Sequence, residues 1–261
     1  QERFLARTIQ SVLENARADT EIIAVLDGAW ADPPVPDDPR VTLLYYPEAI
    51  GQRAATNAAA RVARGRYVMK LDAHCAVAEG FDVTLMQDCP PDWTVIPRMY
   101  NLHAFDWVCR ECGTHTYQGP VPTLCQGCGA TDGFDEVIIW QPRWNRRADF
   151  ARFDRELHFQ YWREYEKRPE AQGEIADTLC FVGACFFMAR ARYWALGGLD
   201  EAHGSWGQMG VEMACKTWLS GGRLVVNKRT WFAHLFRTQP GFGFPYPLTN
   251  ADQEKARVYS R

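Results

Sequence analysis

Apolar residues recur along the first hundred positions with two different periods, and each run stops at glycine, proline or a charged residue. Leu5, Ile9, Val12 and Leu13 follow helical spacing, which predicts an amphipathic helix over residues 3–15. The other predictions are strands at 21–29, 41–46, 66–71 and 93–97 and helices at 51–65 and 81–88. Strands that alternate with helices predict an open α/β sheet that is parallel at least in part.

Two aspartates stand at the carboxyl ends of predicted strands. Asp27 ends the run "EIIAVLDGA", and Asp72 follows the run "RYVMKL". In open α/β sheets, ligands bind in the crevice beyond the carboxyl ends of the strands. We therefore expect both carboxylates to face one crevice.

Composition and charge are those of an ordinary globular protein. The 261 residues are 47% hydrophobic and carry a net charge of −3, so no global basic field indicates a nucleic-acid or membrane partner. No apolar run is long enough to span a membrane, and the first residues lack the profile of a signal peptide. We expect one domain over residues 1–261 and no membrane span.

Four of the nine cysteines form a metal-site pattern, and they are Cys109, Cys112, Cys125 and Cys128. Two C-x2-C pairs beside glycines fit a structural Zn²⁺ in a zinc ribbon, which we expect as an insertion over residues 101–135, at the end of a hairpin. Disulfide pairing is the alternative, and His103 and His115 are alternative zinc ligands. An odd number of cysteines, four of which are arranged for a metal, predicts a protein from a reducing compartment. We therefore expect a cytoplasmic protein of a bacterial or phage-infected cell.

The segment "KLDAHC" offers a second metal site. Asp72 and His74 supply a carboxylate oxygen and an imidazole nitrogen two residues apart, a pair that suits Mn²⁺ or Mg²⁺. Two ligands are too few, and His234 follows an apolar run in "TWFAHLFRTQ" as a third. Alone, Asp72 and His74 could equally form a helix-capping turn, and His234 could be a buried core histidine.

These motifs occur within longer stretches that resemble a known family. The stretches are "RTIQSVLENA", "EIIAVLDGA", "GRYVMKLDAHC", "VGACFFMARARYWALGGLDE", "WGQMGVEMACKTWLSGGRL" and "AHLFR". In this order they resemble the GT-A glycosyltransferases of the family 2-like group, and most closely the polypeptide N-acetylgalactosaminyltransferases. The resemblance implies an α/β GT-A fold, a Rossmann-like open mixed sheet with helices on both faces, carrying the zinc ribbon as an insertion.

The resemblance also implies a UDP-sugar donor and a role for each matched residue. Asp72, His74 and His234 resemble the ligands of a cation that bridges the two donor phosphates. The residues similar to those that bind the nucleotide-sugar are Asp27, Arg53, Asp72, Gly183, Gly207 and Arg237. Trp206 and Glu212 match the loop and helix start that close over the sugar and acceptor, and Glu212 is the candidate catalytic acid. Taken alone, Glu212 could be an ordinary carboxylate on a helix surface.

The chain departs from the family pattern at two places. The relatives carry a carboxylate three positions after the tryptophan of this loop, where this chain has Met209. The usual base is therefore missing there, and retaining and inverting chemistry both stay open. The relatives also begin with a strand that ends in an Asn-Glu-like turn, whereas this sequence opens at the following helix.

The acceptor is not encoded in a motif. Residues 141–168 carry eight Arg or Lys and five Asp or Glu among aromatics, which predicts an amphipathic helix with a charged face or, alternatively, an acceptor groove for nucleic acid. Similar enzymes in viral DNA-modification systems glycosylate 5-hydroxymethylpyrimidines. Our leading hypothesis is therefore transfer to 5-hydroxymethylcytosine in DNA, with the base flipped out of the stack.

Two alternatives have other consequences. A glycosyltransferase of surface-polysaccharide or glycoconjugate synthesis would use a saccharide or lipid-linked acceptor and have no use for DNA. A catalytically dead GT-A domain that acts as a zinc-ribbon binding module would show no turnover with any donor. Met209 favours the last interpretation, and the intact set of Asp72, His74 and His234 opposes it.

Overall fold

The computed structural model describes residues 2–144, 149–204, 206–246 and 249–260. Its helices are α1 (Leu5–Asn15), α2 (Gln52–Val62), α3 (Phe81–Gln87), α4 (Arg190–Ala195), α5 (Met209–Leu219) and α6 (Asn250–Tyr259). Its strands are β1 (Ile22–Asp27), β2 (Val41–Tyr46), β3 (Tyr67–Leu71), β4 (Cys75–Val77), β5 (Trp93–Cys109), β6 (His115–Tyr117), β7 (Phe134–Arg143), β8 (Ala151–Phe153), β9 (Phe159–Tyr161), β10 (Ile175–Asp177), β11 (Cys185–Ala189) and β12 (Arg223–His234). Every helix and strand predicted in the first hundred residues is present, and all of them except the last strand agree with the prediction within a few residues at each end.

The strands form a mixed sheet, as the alternation predicts. The central strands of the eight-stranded sheet run in the order β10, β12, β5, β11 and β3, with β4 on β12 and with β6 and β7 on β5. Within this sheet, β5 and β12 are the only strands that pair in parallel among the described residues. Strands β1 and β2 form a separate parallel pair, and β8 and β9 a separate antiparallel hairpin. The parallel pairs are therefore a minority of a sheet that is mixed overall.

Strand β5 is much longer than the predicted 93–97, because it changes partner along its length. Its first part pairs with β12, and its second part pairs with β7. The partner changes at Asn101, and the pairing with β12 is interrupted earlier, where β12 bulges between Asn227 and Trp231 opposite Pro97. Proline cannot donate to a ladder and is tolerated at such bulges. The strand therefore continues through a residue that would otherwise end it and becomes one side of a long arm, defined as β5, β6 and β7.

The buried face of α1 contains hydroxyl side chains as well as aliphatic side chains. Thr8 and Ser11 are buried, and their side-chain oxygens accept hydrogen bonds from the backbone N–H of Cys75 and Val77 at 3.0 and 3.2 Å. Buried backbone donors require such partners. The first helix thereby fixes β4, the strand that directly follows the "LDAHC" segment.

The prediction of an amphipathic helix within 141–168 is wrong for the described residues. After β7, this stretch forms the β8–β9 hairpin and a short 3₁₀ turn at Tyr165–Lys167. Phe153 pairs with Phe159, and Asp154 closes the turn by accepting from the N–H groups of Glu156 and His158. This aspartate bonds the backbone locally, which favours a turn over a helix. Residues 145–148, which belong to the same predicted stretch, lie outside the described residues.

The core packs between the large sheet and its helices. Leu85 of α3, Met213 of α5 and Phe232 of β12 are fully buried in one apolar cluster. In the part of the chain that is described, no helix combines the length and the apolar character that crossing a membrane requires.

Candidate functional site

A large cavity lies along β1 and β3 and extends beyond the carboxyl ends of both strands. Its volume is about 2590 Å³. The candidate residues that line it are Asp27, Asp72, His74, Gly183, Trp206, Gly207, His234 and Arg237. The two strand-end aspartates therefore face one crevice, as the sheet topology predicts.

Asp72, His74 and His234 come together at the floor of this cavity. His234 is the last residue of β12 and pairs with Cys75 of β4, so the strand register brings it beside the motif. The Nε2 atoms of His74 and His234 are 3.0 Å apart, and His234 Nε2 is 3.3 Å from Asp72 Oδ2. One ligand atom from each of the three residues lies within 4.8 Å of the others.

These distances fit a divalent cation. Two donor atoms bound cis in an octahedron, each about 2.1 Å from the ion, lie about 3 Å from one another. Burial lowers the pKa of His234 to about 4, an effect that Asp72 only partly offsets, so this ring is neutral at physiological pH. Neutral imidazole is the form that binds metal. The three side chains can hold Mn²⁺ or Mg²⁺ and leave further positions for phosphate oxygens.

Glu2 and Arg237 form a second layer behind the histidines, and sequence reasoning did not find Glu2. The Glu2 carboxylate lies 3.0 Å from His74 Nδ1 and 2.8 Å from Arg237 Nη2. Burial alone would raise the pKa of Glu2, but His74 and Arg237 together outweigh it and lower the pKa. A carboxylate on the far nitrogen of a ligating histidine fixes the tautomer and the ring orientation. Arg237 also keeps its Nε without a hydrogen-bond partner among the described residues.

Asp72 has a close cationic neighbour as well. Its Oδ1 accepts from Lys70 Nζ, and from Gln52 Nε2 at 3.1 Å. Burial raises the pKa of Asp72, but Lys70 and His234 outweigh it and hold the pKa well below its usual range. Asp72 is therefore ionised, with one oxygen engaged and the other directed at His234.

Asp27 has both oxygens committed to the backbone of the next loop. They accept from the N–H groups of Ile50 and Gly51 at 2.6 and 3.0 Å. This loop leads into α2, so Asp27 joins the end of β1 to the start of a helix. A carboxylate held in this way is a fixed acceptor at the mouth of the cavity, because each oxygen has a second lone pair.

Arg53 and Glu212 lie outside the cavity wall and bind each other. Arg53 Nε donates to Glu212 Oε2 at 3.0 Å, and both side chains are almost fully buried. The remaining Arg53 donors reach the carbonyl oxygens of Gly204 and Gly207. Glu212 Oε1 accepts from Lys216 and from the N–H of Asp200. This geometry differs from the expected catalytic and donor-binding roles and supports a structural role, in which the pair anchors the loop that carries Trp206.

Met209 has a packing role at the position where the family resemblance implies an acid. It is buried at the start of α5, and a Cβ added to Gly183 would lie 3.0 Å from its Cβ. A carboxylate at this position would be buried against backbone and apolar atoms, which costs several kcal/mol without a partner. Trp206 stands three residues earlier on the cavity wall, with its ring centroid 6.1 Å from that of Phe244.

The four cysteines of the quartet cluster at the tip of the arm. The sulfurs of Cys109 and Cys128 are 3.7 Å apart, and those of Cys112 and Cys125 are 3.5 Å apart. Four thiolates at about 2.3 Å from Zn²⁺ have sulfurs roughly 3.8 Å apart, so the spacing fits zinc. The N–H groups of Cys128 and Gly127 lower the pKa of Cys125 to about 6, whereas at Cys128 the N–H of Ala130 is outweighed by the other thiols and by burial, which raise the pKa. Cys125 therefore gives the thiolate that a metal needs more readily than Cys128 does.

The nearby histidines are not part of this cluster. His103 Nε2 and His115 Nδ1 lie 2.6 and 3.0 Å from the two oxygens of Asp106, between the arm strands. The alternative that either one replaces a cysteine as zinc ligand is therefore not supported. All nine cysteines are described, and the structure contains no disulfide among them.

Comparison with known proteins gives a family match for the first third of the chain. Residues 1–88, which include Asp27, Asp72 and His74, match the family model described as glycosyl transferase family 2. The match ends before the arm, so it includes two of the three candidate metal ligands and leaves His234 outside.

Relatives with longer matches include proteins named as N-acetylgalactosaminyltransferases. The chain is 27% identical over 270 residues to bovine (Bos taurus) polypeptide N-acetylgalactosaminyltransferase 6, which covers 97% of this chain and 38% of that protein. It is 26% identical over 256 residues to human polypeptide N-acetylgalactosaminyltransferase 14, covering 92% of this chain and 40% of that protein. The chain thus spans about two fifths of the length of these relatives.

A solved structure shares the fold. The crystal structure of GalNAc-T7 with UDP, GalNAc and Mn²⁺ superposes with a TM-score of 0.64 at 18% identity, over 98% of this chain and 45% of that one. This similarity shows the fold. Together the comparisons show similarity to glycosyl transferase family 2 over residues 1–88, a distant resemblance to the polypeptide N-acetylgalactosaminyltransferases, and the GT-A fold.

Proposed function

We propose that this chain is a metal-dependent glycosyltransferase that moves a sugar from a UDP-sugar to a hydroxyl acceptor. The observation that carries the proposal is the set of three ligand atoms from Asp72, His74 and His234, within 4.8 Å of one another on the wall of a large cavity. The solved relative that shares the fold contains UDP and Mn²⁺, which supports the same class of donor and cation here.

In the proposed reaction, the residues bind the two ends of the donor. Asp27 would accept from the uridine, and Asp72, His74 and His234 would hold a divalent cation, which would supply positive charge to offset that of the diphosphate leaving group. Arg237 lines the same cavity, and its guanidinium can donate to a phosphate oxygen. Trp206 covers the sugar side of the cavity and excludes water from it. Arg53 and Glu212 hold the Trp206 loop in place.

We infer that the acceptor is 5-hydroxymethylcytosine in DNA. The β8–β9 hairpin supports this part, because Phe159 and Tyr161 line the cavity while Arg152 and Arg155 are exposed on the same hairpin. Aromatic rings can stack on a flipped base, and arginines can bind the phosphates that flank it. A DNA acceptor also agrees with the cytoplasmic location that we expect from the cysteine pattern. The inserted arm contributes a structural Zn²⁺ site in this proposal.

An end-point transfer assay tests the donor and the acceptor together. The protein is incubated with Mn²⁺, a panel of UDP-sugars and one of four acceptors: cytosine DNA, 5-hydroxymethylcytosine DNA, a serine/threonine peptide or an oligosaccharide. Mass spectrometry of the digested products should show a sugar-sized gain on hydroxymethylcytosine alone. A gain on peptide or saccharide would replace the DNA acceptor and keep the transferase. No gain and no UDP release under any condition would favour a binding module without activity.

A single substitution links the activity to the cation site. Asp72→Asn removes the charged ligand and should reduce transfer by more than about 100-fold, since loss of an outer partner alone costs roughly 10–100-fold. The matched control is Asp37→Asn, because Asp37 is exposed and lies outside the cavity wall. Equal activity of the Asp72 variant and the control would contradict the metal-site assignment.

A further inference from the structure

Lys70 is a buried lysine beside the candidate cation site, in a strand that is otherwise nearly apolar. Its side chain is only 6% exposed. Residues two apart on a strand point to the same face, so Lys70 and Asp72 lie side by side at the end of β3. Lysine is rarely buried unless it is paired, so this position needs a specific explanation.

The Lys70 ammonium group makes three contacts that fix its position. It donates to Asp72 Oδ1, to the carbonyl oxygen of Gly183 at 2.7 Å and, more weakly, to that of Ala184 at 3.4 Å. All three of its protons are thereby directed at oxygen atoms. Together with Gln52, Lys70 occupies Asp72 Oδ1 and leaves Oδ2 as the oxygen that faces His234.

The charges around the cation site cancel. Asp72 is paired with Lys70, and Glu2 behind His74 is paired with Arg237. The ligand set therefore presents a divalent cation with one carboxylate oxygen and two imidazoles, inside a shell whose formal charges sum to zero. Affinity for hard cations depends on the number of charged ligands, so this protein surface alone is a weak cation site. A diphosphate supplies the negative charge that the shell lacks.

We propose that Lys70 is a positioning residue that makes cation binding depend on the nucleotide diphosphate. With Lys70 in place, the cation and the diphosphate bind tightly only together. This inference rests on the proposed function, because it takes the nucleoside diphosphate as the second ligand of the same site. By thermodynamic reciprocity, the factor by which UDP tightens Mn²⁺ binding equals the factor by which Mn²⁺ tightens UDP binding.

The test measures binding rather than turnover. Isothermal titration calorimetry, with Mn²⁺ electron paramagnetic resonance as a second readout, gives the Mn²⁺ affinity with and without saturating UDP. For the wild-type protein, we expect UDP to tighten Mn²⁺ binding by at least about tenfold. For Lys70→Met, which keeps the length of the side chain and removes its charge, Mn²⁺ alone should bind about tenfold tighter than in the wild type. The enhancement by UDP should shrink accordingly.

Two further variants serve as controls for this test. Lys167→Met removes one positive charge from an exposed position and should behave as the wild type. Lys70→Gln can still donate to Gly183 and replaces the methionine variant if that one does not fold. Tight Mn²⁺ binding by the wild type without UDP, or an unchanged Mn²⁺ affinity in the Lys70 variant, would overturn the inference. Absence of UDP binding by the wild type, with or without Mn²⁺, would instead overturn the proposed function.

Discussion

At the scale of single residues, burial separates the groups that can meet a substrate from those that hold the fold. Arg53 and Glu212 form an ion pair with 1% and 3% of their side chains exposed. A buried pair contributes little net stability as a pair, but removing one partner leaves the other charge without compensation. The pair also joins α2 to α5 and to the loop before α5, and we infer from these contacts that its role is structural.

Glu212→Gln tests this assignment. Removing the charge leaves the buried Arg53 unpaired, so we expect a loss of about 3–5 kcal/mol in the free energy of unfolding. Urea denaturation monitored by tryptophan fluorescence measures this loss. The control is Glu79→Gln, since Glu79 pairs with Arg17 on the surface and should cost less than about 1 kcal/mol. Unchanged stability with complete loss of transfer would assign Glu212 to catalysis instead.

The sequence predicts the candidate metal ligands better than the residues that surround them. Asp72, His74 and His234 are marked by residue type and by their places after apolar runs, and the structure brings them together. The position of Lys70 could also be predicted from the sequence, because a charged residue two positions before Asp72 in an apolar strand points to the same face of the sheet as Asp72. No sequence pattern indicates the role of Glu2, since its contact with His74 exists only once α1 packs on β4.

At the scale of elements, a close backbone contact positions α5 against the loop before β11. A Cβ on Gly210 would overlap the carbonyl oxygen of Phe181 and would lie 3.2 Å from the Gly183 N atom. Only glycine permits this approach. The contact fixes the distance between the start of α5 and the Gly183 segment of the cavity wall.

Gly210→Ala should therefore separate these two elements. Overpacking of this kind costs about 1–3 kcal/mol, and here the neighbour is backbone that cannot rotate away. We expect a lower melting temperature in differential scanning fluorimetry and weaker binding of UDP with Mn²⁺. Gly243→Ala is the control, because no heavy atom lies within 4 Å of a Cβ at that position. Equal melting temperatures for the two variants would refute the contact.

The arm is a second element, and we expect zinc bound by its four cysteines to stabilise it. Cys109→Ser removes one of four ligands, so zinc content should fall from about one ion per chain to near zero. We also expect a fall in melting temperature of at least about 5 °C, which corresponds to roughly 2 kcal/mol for a chain of this size. Elemental analysis and thermal unfolding measure the two effects. Cys215→Ser should change neither, since Cys215 lies outside the cluster. Retention of zinc by Cys109→Ser would contradict the four-cysteine site.

Elements were predicted well where their pattern is local and poorly where it is set by tertiary contacts. The sequences of α1 and β3 each show the hydrophobic period of their own element, and both elements are predicted correctly. The extension of β5 through Pro97 depends on the bulge in β12, which is more than a hundred residues away. The β8–β9 hairpin replaces a predicted helix because Asp154 binds the local backbone, a choice that periodicity does not reveal.

At the scale of the whole molecule, the cavity lies between two sheets that share no ladder in the described residues. Asp27 belongs to the β1–β2 pair, whereas Asp72 follows β3 of the eight-stranded sheet. A UDP-sugar with its uridine at Asp27 and its diphosphate at the metal ligands would contact both sheets. Donor binding should thus couple two parts of the fold that otherwise open independently, since local unfolding follows cooperative units.

Hydrogen exchange of backbone amides tests this coupling. UDP with Mn²⁺ at about 100 times its Kd should stabilise the protein by about 2.7 kcal/mol. Exchange should slow in both β1–β2 and β3, while the arm, which lies outside the cavity wall, keeps its rates. In Asp27→Ala, protection should persist at β3 and be lost at β1–β2; Asp37→Ala serves as the control. Protection confined to β3 in the wild-type protein would show that the nucleotide does not reach Asp27. Uniform protection that includes the arm would show global stabilisation without a link between the two sheets.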